Sequence, residues 1–526
     1  MKRKLFKKSV AAGICVTMLA TTTTTFAQAH FFEQQDLYEA RTLVGEKDPS
    51  LLNGSLTEAK FYQPNSIVQL SNGNYIISDT LNHTIRVMDA EKVDSYAGLI
   101  VEFNEFSEPM GAYHDGDAEL AVFNAPSGLA VDHEDNVYVA DSANHVIRKI
   151  SAEGNVSTVA GTTVLGHADG KAANAQFYYP SDVAIDSKGN LFVADTLNHT
   201  IRKITKDGQV TTLNALSDRV IEYTPGYPEF TGDFADGKIS DAKFNEPTNI
   251  IVDSKDNSYV ADRGNQRIRY IDFEANKVST VAGSGELDDN KLYVSGGFKD
   301  GEAQLAQFNS PEGMTLVNDN VLIVADRKNH VIRVIENGVV STIAGEPEEF
   351  GGANGVLPFV TFNEPSDVLV TNEGAILVVE EGYHRIRKIS SYLEFSEAVT
   401  TANKLQVLVN GKLLTPEEDP YVENSRTLIP LRAAAEALGF KVEYQEPTQK
   451  ITLSDGEKLY VFQLGSQEVT ISVSDGLSTT IALDVAIQTK NNVSFVPLRF
   501  IAEQLGYHVA WDKDMQNVVI RDKSYE

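Results

Sequence analysis

Along most of the chain, apolar and polar residues alternate in short runs broken by Gly, Asn and Asp. "GLAVD" (128–132) and "VYVAD" (137–141) flank the polar "HEDN", and "VIRKI" (146–150) and "VSTVAG" (156–161) follow across turns that carry Gly and Asn. Period-two alternation rich in β-branched residues, bounded by such turns, predicts antiparallel strands joined by hairpins. Four strands make one unit, and the unit recurs.

The copies align on Phe61, Phe123, Phe177, Phe244, Phe308 and Phe362. Each Phe is followed three residues later by Pro and preceded at seven by Gly. Eighteen residues beyond it stands an acid: Asp79, Asp141, Asp195, Asp262, Asp326 or Glu380. Seven further on comes Arg86, Arg148, Arg202, Arg269, Arg333 or Arg387. Between acid and Arg lie His83, His145, His199, His330 and His384, with Gln266 in the fourth copy. Constant offsets over six copies define a repeat, and four-stranded units arranged radially form a β-propeller. The expected fold is therefore mainly β: a six-bladed propeller, then a small α+β domain. The sixth copy stops after "HRIRKIS" (384–390) without a fourth strand. "YEARTLVG" (38–45) reads as that strand, so the N-terminal strand is expected to close the ring.

The stretches "LNHTIR" and "ANHVIR" resemble the NHL-repeat family over about residues 36–390, with Gln266 and Tyr383-His384 as departures. The resemblance implies a six-bladed propeller. It also brings an alternative: some secreted NHL-type propellers are zinc-dependent lyases, and related propellers are lactonases. Such a site needs unrepeated residues converging on the channel, and the unrepeated histidines His114, His133 and His167 show no zinc-ligand spacing.

Beyond "KISSYLEFSEAVTTANK" (388–404) the pattern changes to a weak duplication. "RTLIPLRAAAEALGFKVEY" (426–444) matches "VSFVPLRFIAEQLGYHVAW" (493–511). Leu431, Ala434, Ala435 and Leu438, like Leu498, Ile501, Ala502 and Leu505, fall at helical spacing before a C-terminal Gly. A hairpin follows each, giving two helix–hairpin halves. The repeated "PLR" pattern resembles the copper amine oxidase N-terminal-like, or stalk, domain. Copper chemistry is not implied, because this segment holds one histidine, His508. The expected organisation is a signal peptide at 1–29, the propeller at 30–390, a linker at 391–404 and the stalk-like domain at 405–526.

The signal reading rests on Lys2, Arg3, Lys4, Lys7 and Lys8 before a short apolar run and an A-x-A site ending at Ala29. The only cysteine, Cys15, falls inside it. Removing those five positive charges takes the net charge from −29 to about −34, which disfavours nucleic acid as a partner. No later segment is apolar enough to span a bilayer as a helix.

The repeated His, acids and Arg are read as architecture: turn amides satisfied, blades bridged, Asp paired with Arg. No metal or cofactor is assigned. Calcium or zinc remains conceivable at the His and carboxylate positions, though Asp-rich turns such as 132–136 and 253–257 lack the ligand density of a calcium loop. Binding is expected where copies differ, in the long connections 99–122, 215–243 and 284–307. Their aromatics, Phe103, Phe106, Tyr113, Tyr223, Tyr227, Phe230, Phe234, Tyr293 and Phe298, stand among carboxylates on the face of the Asn-His turns. The reading is a secreted or cell-envelope-associated monomer that binds an extracellular protein, peptide or cell-wall glycan on that face. The tail would attach it or space it, and the alternative is a metal-dependent lyase or lactonase at the channel mouth.

Overall fold

The computed structural model describes residues 37–224, 226–288, 290–392, 405–473, 477–512 and 516–525. The expected signal segment 1–29 lies outside them, as do residues 393–404 of the expected linker.

Each propeller unit is one antiparallel sheet standing radially. In blade two the inner strand is Pro126–Val131, followed outward by Val137–Asp141, Val146–Ile150 and Asn155–Ala160. A fifth strand, Gly116–Asp117, then pairs at the outer edge, with Gly116 opposite Val156. The sequence pattern predicted four strands, because a two-residue strand is too short to alternate. The repeated Gly sits at or next to the strand's start: Gly54, Gly116, Gly170, Gly237, Gly301 and Gly355 have φ between 119° and 154°, outside what side-chain-bearing residues favour.

Blade six is assembled from distant pieces. Its strands Pro365–Val370, Ile376–Glu380 and Arg385–Ser391 are followed by Tyr38–Gly45, which runs antiparallel to the last of them from Tyr38↔Ser391 to Gly45↔Arg385. Asn354–Val356 pairs on Tyr38–Gly45, and Ser524–Tyr525 from the chain's other end pairs on Asn354–Val356. Ring closure thus holds N-terminal, sixth-copy and C-terminal segments in one sheet. The anchor Phe side chains are fully buried, and the core lies between blades: Phe123 packs with Ile76 and Ile85 of blade one and Leu129 of blade two.

In the tail, helices Leu431–Ala437 and Leu498–Gln504 each lead into a hairpin, Lys441–Gln445 with Lys450–Ser454 and Tyr507–Asp512 with Asn517–Asp522. Strands Arg426–Pro430 and Val493–Pro497 pair antiparallel, with Leu428↔Pro497 and Pro430↔Phe495. These residues also correspond in the duplication, so an approximate two-fold axis passes between Ile429 and Val496. The tail packs directly on the propeller. The last propeller strand runs on to Ser391, and Tyr392 is buried with Leu37, Leu408, Ala510 and Val519, donating its hydroxyl to Asp512 at 3.0 Å. Arg521 meets Glu39 of the closing strand at 3.1 Å, both buried.

Candidate binding face at the channel mouth

The repeated polar residues form one buried lattice. In blade two, Asp141 Oδ1 accepts the Asn124 amide at 2.8 Å, and Oδ2 accepts Asn144 Nδ2 at 2.9 Å and Arg148 Nη1 at 2.7 Å. All five Arg148 N–H groups are used, the others going to Asp115 and to the carbonyls of Val122 and His114. Its guanidinium lies between Phe123 and Tyr113, with centroids 4.9 and 4.8 Å away. Arg269 sits likewise between Phe244 and Phe234, and Arg333 between Phe308 and Phe298. Tyr113, Phe234 and Phe298 occupy one repeat position, ten residues before the anchor. The other copies have Leu51, His167 and Gly352 there, and in those blades the Nε of Arg86, Arg202 and Arg387 is buried without a partner. Burial pushes the carboxyls of Asp79, Asp141, Asp195 and Asp326 up to about 6 against the pull of their arginines, and Asp262 moves the same way. In blade six Glu380 is one carbon longer, and Arg385 Nε supplies it with a donor where Tyr383 replaces Asn.

The repeated histidines join neighbouring blades. Nδ1 of His83 accepts the Ala125 amide at 2.9 Å, His145 that of Tyr179 at 3.2 Å, His199 that of Glu246 at 3.1 Å and His330 that of Glu364 at 3.1 Å. His384 accepts the Gln63 amide at 3.2 Å, across the seam from blade six to blade one. Gln266 does the same work with Oε1, 2.6 Å from the Ser310 amide. Burial lowers the pKa of all five imidazoles, which keeps Nδ1 an acceptor at neutral pH.

The rim aromatics therefore divide. Phe103, Phe106, Phe230 and Tyr293 are exposed, Phe106 by 75% and Phe230 by 77%. Tyr113, Phe234 and Phe298 have a ring face spent on an arginine. Tyr223 and Tyr227 belong to the hairpin Val220–Thr224/Tyr227–Phe230, and their side chains fall outside the described set. Phe350, 68% exposed in the connection to blade six, joins the exposed group without having been singled out by the sequence.

The chemistry that differs between blades sits directly after the repeated acid. Here stand Thr80, Ser142 and Thr196 in blades one to three, and Arg263, Arg327 and Glu381 in blades four to six. The three hydroxyls donate to the Pro126, Pro180 and Pro247 carbonyls of the next blade, at 2.8, 2.6 and 2.8 Å. In the other half ionic contacts replace these: Glu312 lies 3.4 Å from Arg263 and 3.0 Å from Arg327, which also reaches Glu364 at 2.8 Å and Glu381 at 2.7 Å. Arg263 further pairs with Glu246, whose other oxygen accepts the Tyr293 hydroxyl at 2.8 Å, so the loop entering blade five reaches the mouth. Burial raises Glu381 to about 7 despite Arg327, helped by Glu312 and Glu364. Of these residues, Thr80, Thr196, Arg263, Glu312, Arg327 and Glu381 line a cavity of about 340 Å³ on the axis.

Below the mouth, the position five residues after each anchor reads Gly128, Asp182, Asn249, then Gly313, Asp367, Ser66. Asp182 Oδ2 accepts Asn249 Nδ2 and the Ile250 amide, both at 2.8 Å, and Asp367 Oδ2 accepts Ser66 Oγ at 2.9 Å and the Ile67 amide at 3.0 Å. A Cβ on Gly128 would stand 2.0 Å from Asp182 Oδ1, and one on Gly313 2.3 Å from Asp367 Oδ1. Small residues at these two positions admit the carboxylates. Burial pushes Asp367 up to about 7 and Asp182 well above the carboxylate range. Past this waist the opposite mouth is apolar, lined by Val68, Leu129, Ile185, Ile251, Leu316 and Leu369.

Models of the Teneurin NHL domain and of the NHL repeat match residues 166–390 and 123–150. The ring is an NHL-repeat propeller. Behind it, residues 408–520 match the copper amine oxidase N-terminal domain, so the NHL propeller carries that domain at its C-terminal side. Human NHL repeat-containing protein 2 is 26% identical over 408 residues, 71% of this chain and 53% of that protein. Human Teneurin-4 is 32% identical over 159 residues, 28% of this chain and 6% of its own length. The chain thus spans about half the length of the first of these relatives, and far less of the second. Among solved structures, an auxiliary nutrient binding protein from Bacteroides thetaiotaomicron aligns over 67% of this chain and 76% of that one at 14% identity, TM-score 0.48. A streptogramin B lyase aligns over 67% and 98% at 13% identity, TM-score 0.36. No helix among the described residues is long and apolar enough to cross a membrane.

Proposed function

We propose that the chain is a secreted or cell-envelope-associated binding protein whose channel-mouth face takes a basic segment of a protein partner. One observation carries this reading. The unrepeated ionic half of the mouth sets Glu246, Glu312, Glu364 and Glu381 among Arg263, Arg327 and Lys328, within a rim where Phe103, Phe106 and Phe230 present unspent rings. Exposed aromatics supply apolar contact, the chain's net charge of −29 steers a cationic partner, and the mouth acids can exchange their arginines for its basic side chains. The N-terminal pattern of positive charge followed by an apolar run supports export, and the tail serves as attachment or spacer.

The lyase or lactonase alternative has less behind it. The repeated histidines spend Nδ1 on inter-blade amides, and among the described residues no group of three His, Cys, Asp or Glu side chains converges as metal ligands would.

An immobilised library of Lys/Arg-bearing and neutral peptides, probed with the full chain at low and physiological salt, tests the proposal. Basic peptides should bind, weaken with salt, and lose most of their affinity in Glu312→Gln/Glu381→Gln. Equal capture of neutral peptides, or binding indifferent to those substitutions, would overturn it.

A further inference from the structure

The tail holds two clefts that the duplication makes equivalent. The first, about 570 Å³, is lined by Tyr444 of the hairpin, Arg432 of the helix and Glu417, and is closed by residues 492–494 of the other half. The second, about 640 Å³, is lined by Trp511, Arg499 and Asp484 and closed by residues 425–427. Every one of these pairs is related by the same 67-residue offset: Tyr444 with Trp511, Arg432 with Arg499, Glu417 with Asp484, and 425–427 with 492–494. Each half thus builds one cleft and walls the other, as the antiparallel pairing of Arg426–Pro430 with Val493–Pro497 requires.

Duplication alone explains two depressions, but not which exposed residues stayed alike. Other equivalent positions diverge, in the cleft walls as well as beyond them: Lys441 corresponds to His508, Glu443 to Ala510, and Arg426, which pairs with Asp484, to Val493. In the clefts both copies keep an aromatic ring, an arginine and a carboxylate. The rings are open, Tyr444 by 45% and Trp511 by 39%, and each stands on a paired strand that fixes its orientation. Arg499 is 65% exposed, its nearest paired carboxylate being Glu503 at 3.9 Å, so its fork is largely free for a ligand.

We propose that these clefts are a pair of glycan-binding sites that together hold one polysaccharide whose repeating sugars carry an anionic group. A rigid ring offers a platform for the apolar face of a pyranose. The arginine fork matches a carboxylate or phosphate, and Glu417 in the first cleft can accept sugar hydroxyls, whereas Asp484 in the second is already paired with Arg426. Two equivalent sites on one rigid unit suit a repeating polymer, because the second contact is then intramolecular. The proposal goes beyond the channel-mouth reading and stands or falls separately from it.

Trp511 is the only tryptophan in the chain, so its emission reports the second cleft directly. The full-length protein is titrated with polygalacturonate, with galacturonate dimer and with neutral dextran of matched length. Polygalacturonate should shift Trp511 emission with an apparent affinity at least about tenfold above the dimer per sugar unit, and dextran should bind more weakly. Tyr444→Ala and Arg432→Gln, both at exposed positions of the first cleft, should abolish the polymer's advantage and leave the dimer's effect on Trp511 unchanged. An emission spectrum indifferent to polygalacturonate would overturn the proposal, as would dextran binding equally well or both variants keeping the full polymer advantage.

Discussion

Arg148 shows how far one residue can be committed. A fully buried guanidinium with five donors used and both faces covered is stable only while each partner is present. Breaking a buried pair by removing one partner leaves an uncompensated charge, at a cost of about 3–5 kcal/mol. Asp141→Ala is expected to lose that much in urea unfolding, and a loss under 1 kcal/mol, the range of exposed pairs, would contradict the lattice. Asp367 behaves differently, having no cation beside it. Its carboxyl is raised by burial to about 7, whereas an unfolded Asp titrates near 4. The native state therefore keeps a proton there that the unfolded chain has lost. This contribution is whole below about pH 4 and disappears as pH rises through 7. Asp367→Asn should accordingly gain stability relative to wild type between pH 4 and pH 8, by up to about 4 kcal/mol, in thermal unfolding at the two pH values. An unchanged difference would show that Asp367 is not held protonated. At this scale the repeat positions were legible in the sequence, since six copies hold the acid and the Arg, and five the His, at fixed offsets. The Asp or Asn eight residues before each anchor, Asp115 in blade two, and the residue after the repeated acid were not. The first was hidden beside the more conspicuous Gly, and the second by the very variation that makes it informative.

Among the elements, the closing strand carries the most. Tyr38–Gly45 pairs on both edges and buries Ala40 and Val44, and burying a Val side chain alone is worth about 1.5–3 kcal/mol. Deleting 38–45 also frees the edges of two strands. The deletion should lower the unfolding midpoint sharply, whereas removing residues 524–526, which takes away one two-residue pairing, should cost little. Equal midpoints for the 38–45 deletion and wild type would mean that the ring does not need its latch. The closing strand was readable because it repeats the fourth-strand pattern of the other blades. The fifth strands were not, being two or three residues long, and neither was the joining of tail to propeller. That joint is made of long-range contacts, Arg521 with Glu39, Tyr392 with Asp512, a small buried cluster and one short strand pairing, which no local period announces.

For the whole molecule, sixfold repetition builds a scaffold and departures from it supply the chemistry. Hydroxyl latches hold the mouth in blades one to three, and ionic contacts replace them in four to six. The tail is also duplicated, and both halves keep an aromatic ring, an arginine and a carboxylate in their clefts. Fold class and family were open to sequence because they are periodic. The mouth's division was not, because it appears only when the variable position is seen from all six blades at once. The central claim is that the Asn-His motif is architecture. It is tested most directly by changing His83, His145, His199, His330 and His384 together to Gln, the residue that blade four already uses at Gln266. The account predicts a folded protein, with cooperative unfolding near the wild-type midpoint and undiminished binding of basic peptides. A variant that folds normally but loses ligand binding would contradict it, and would place the function in the repeated histidines themselves.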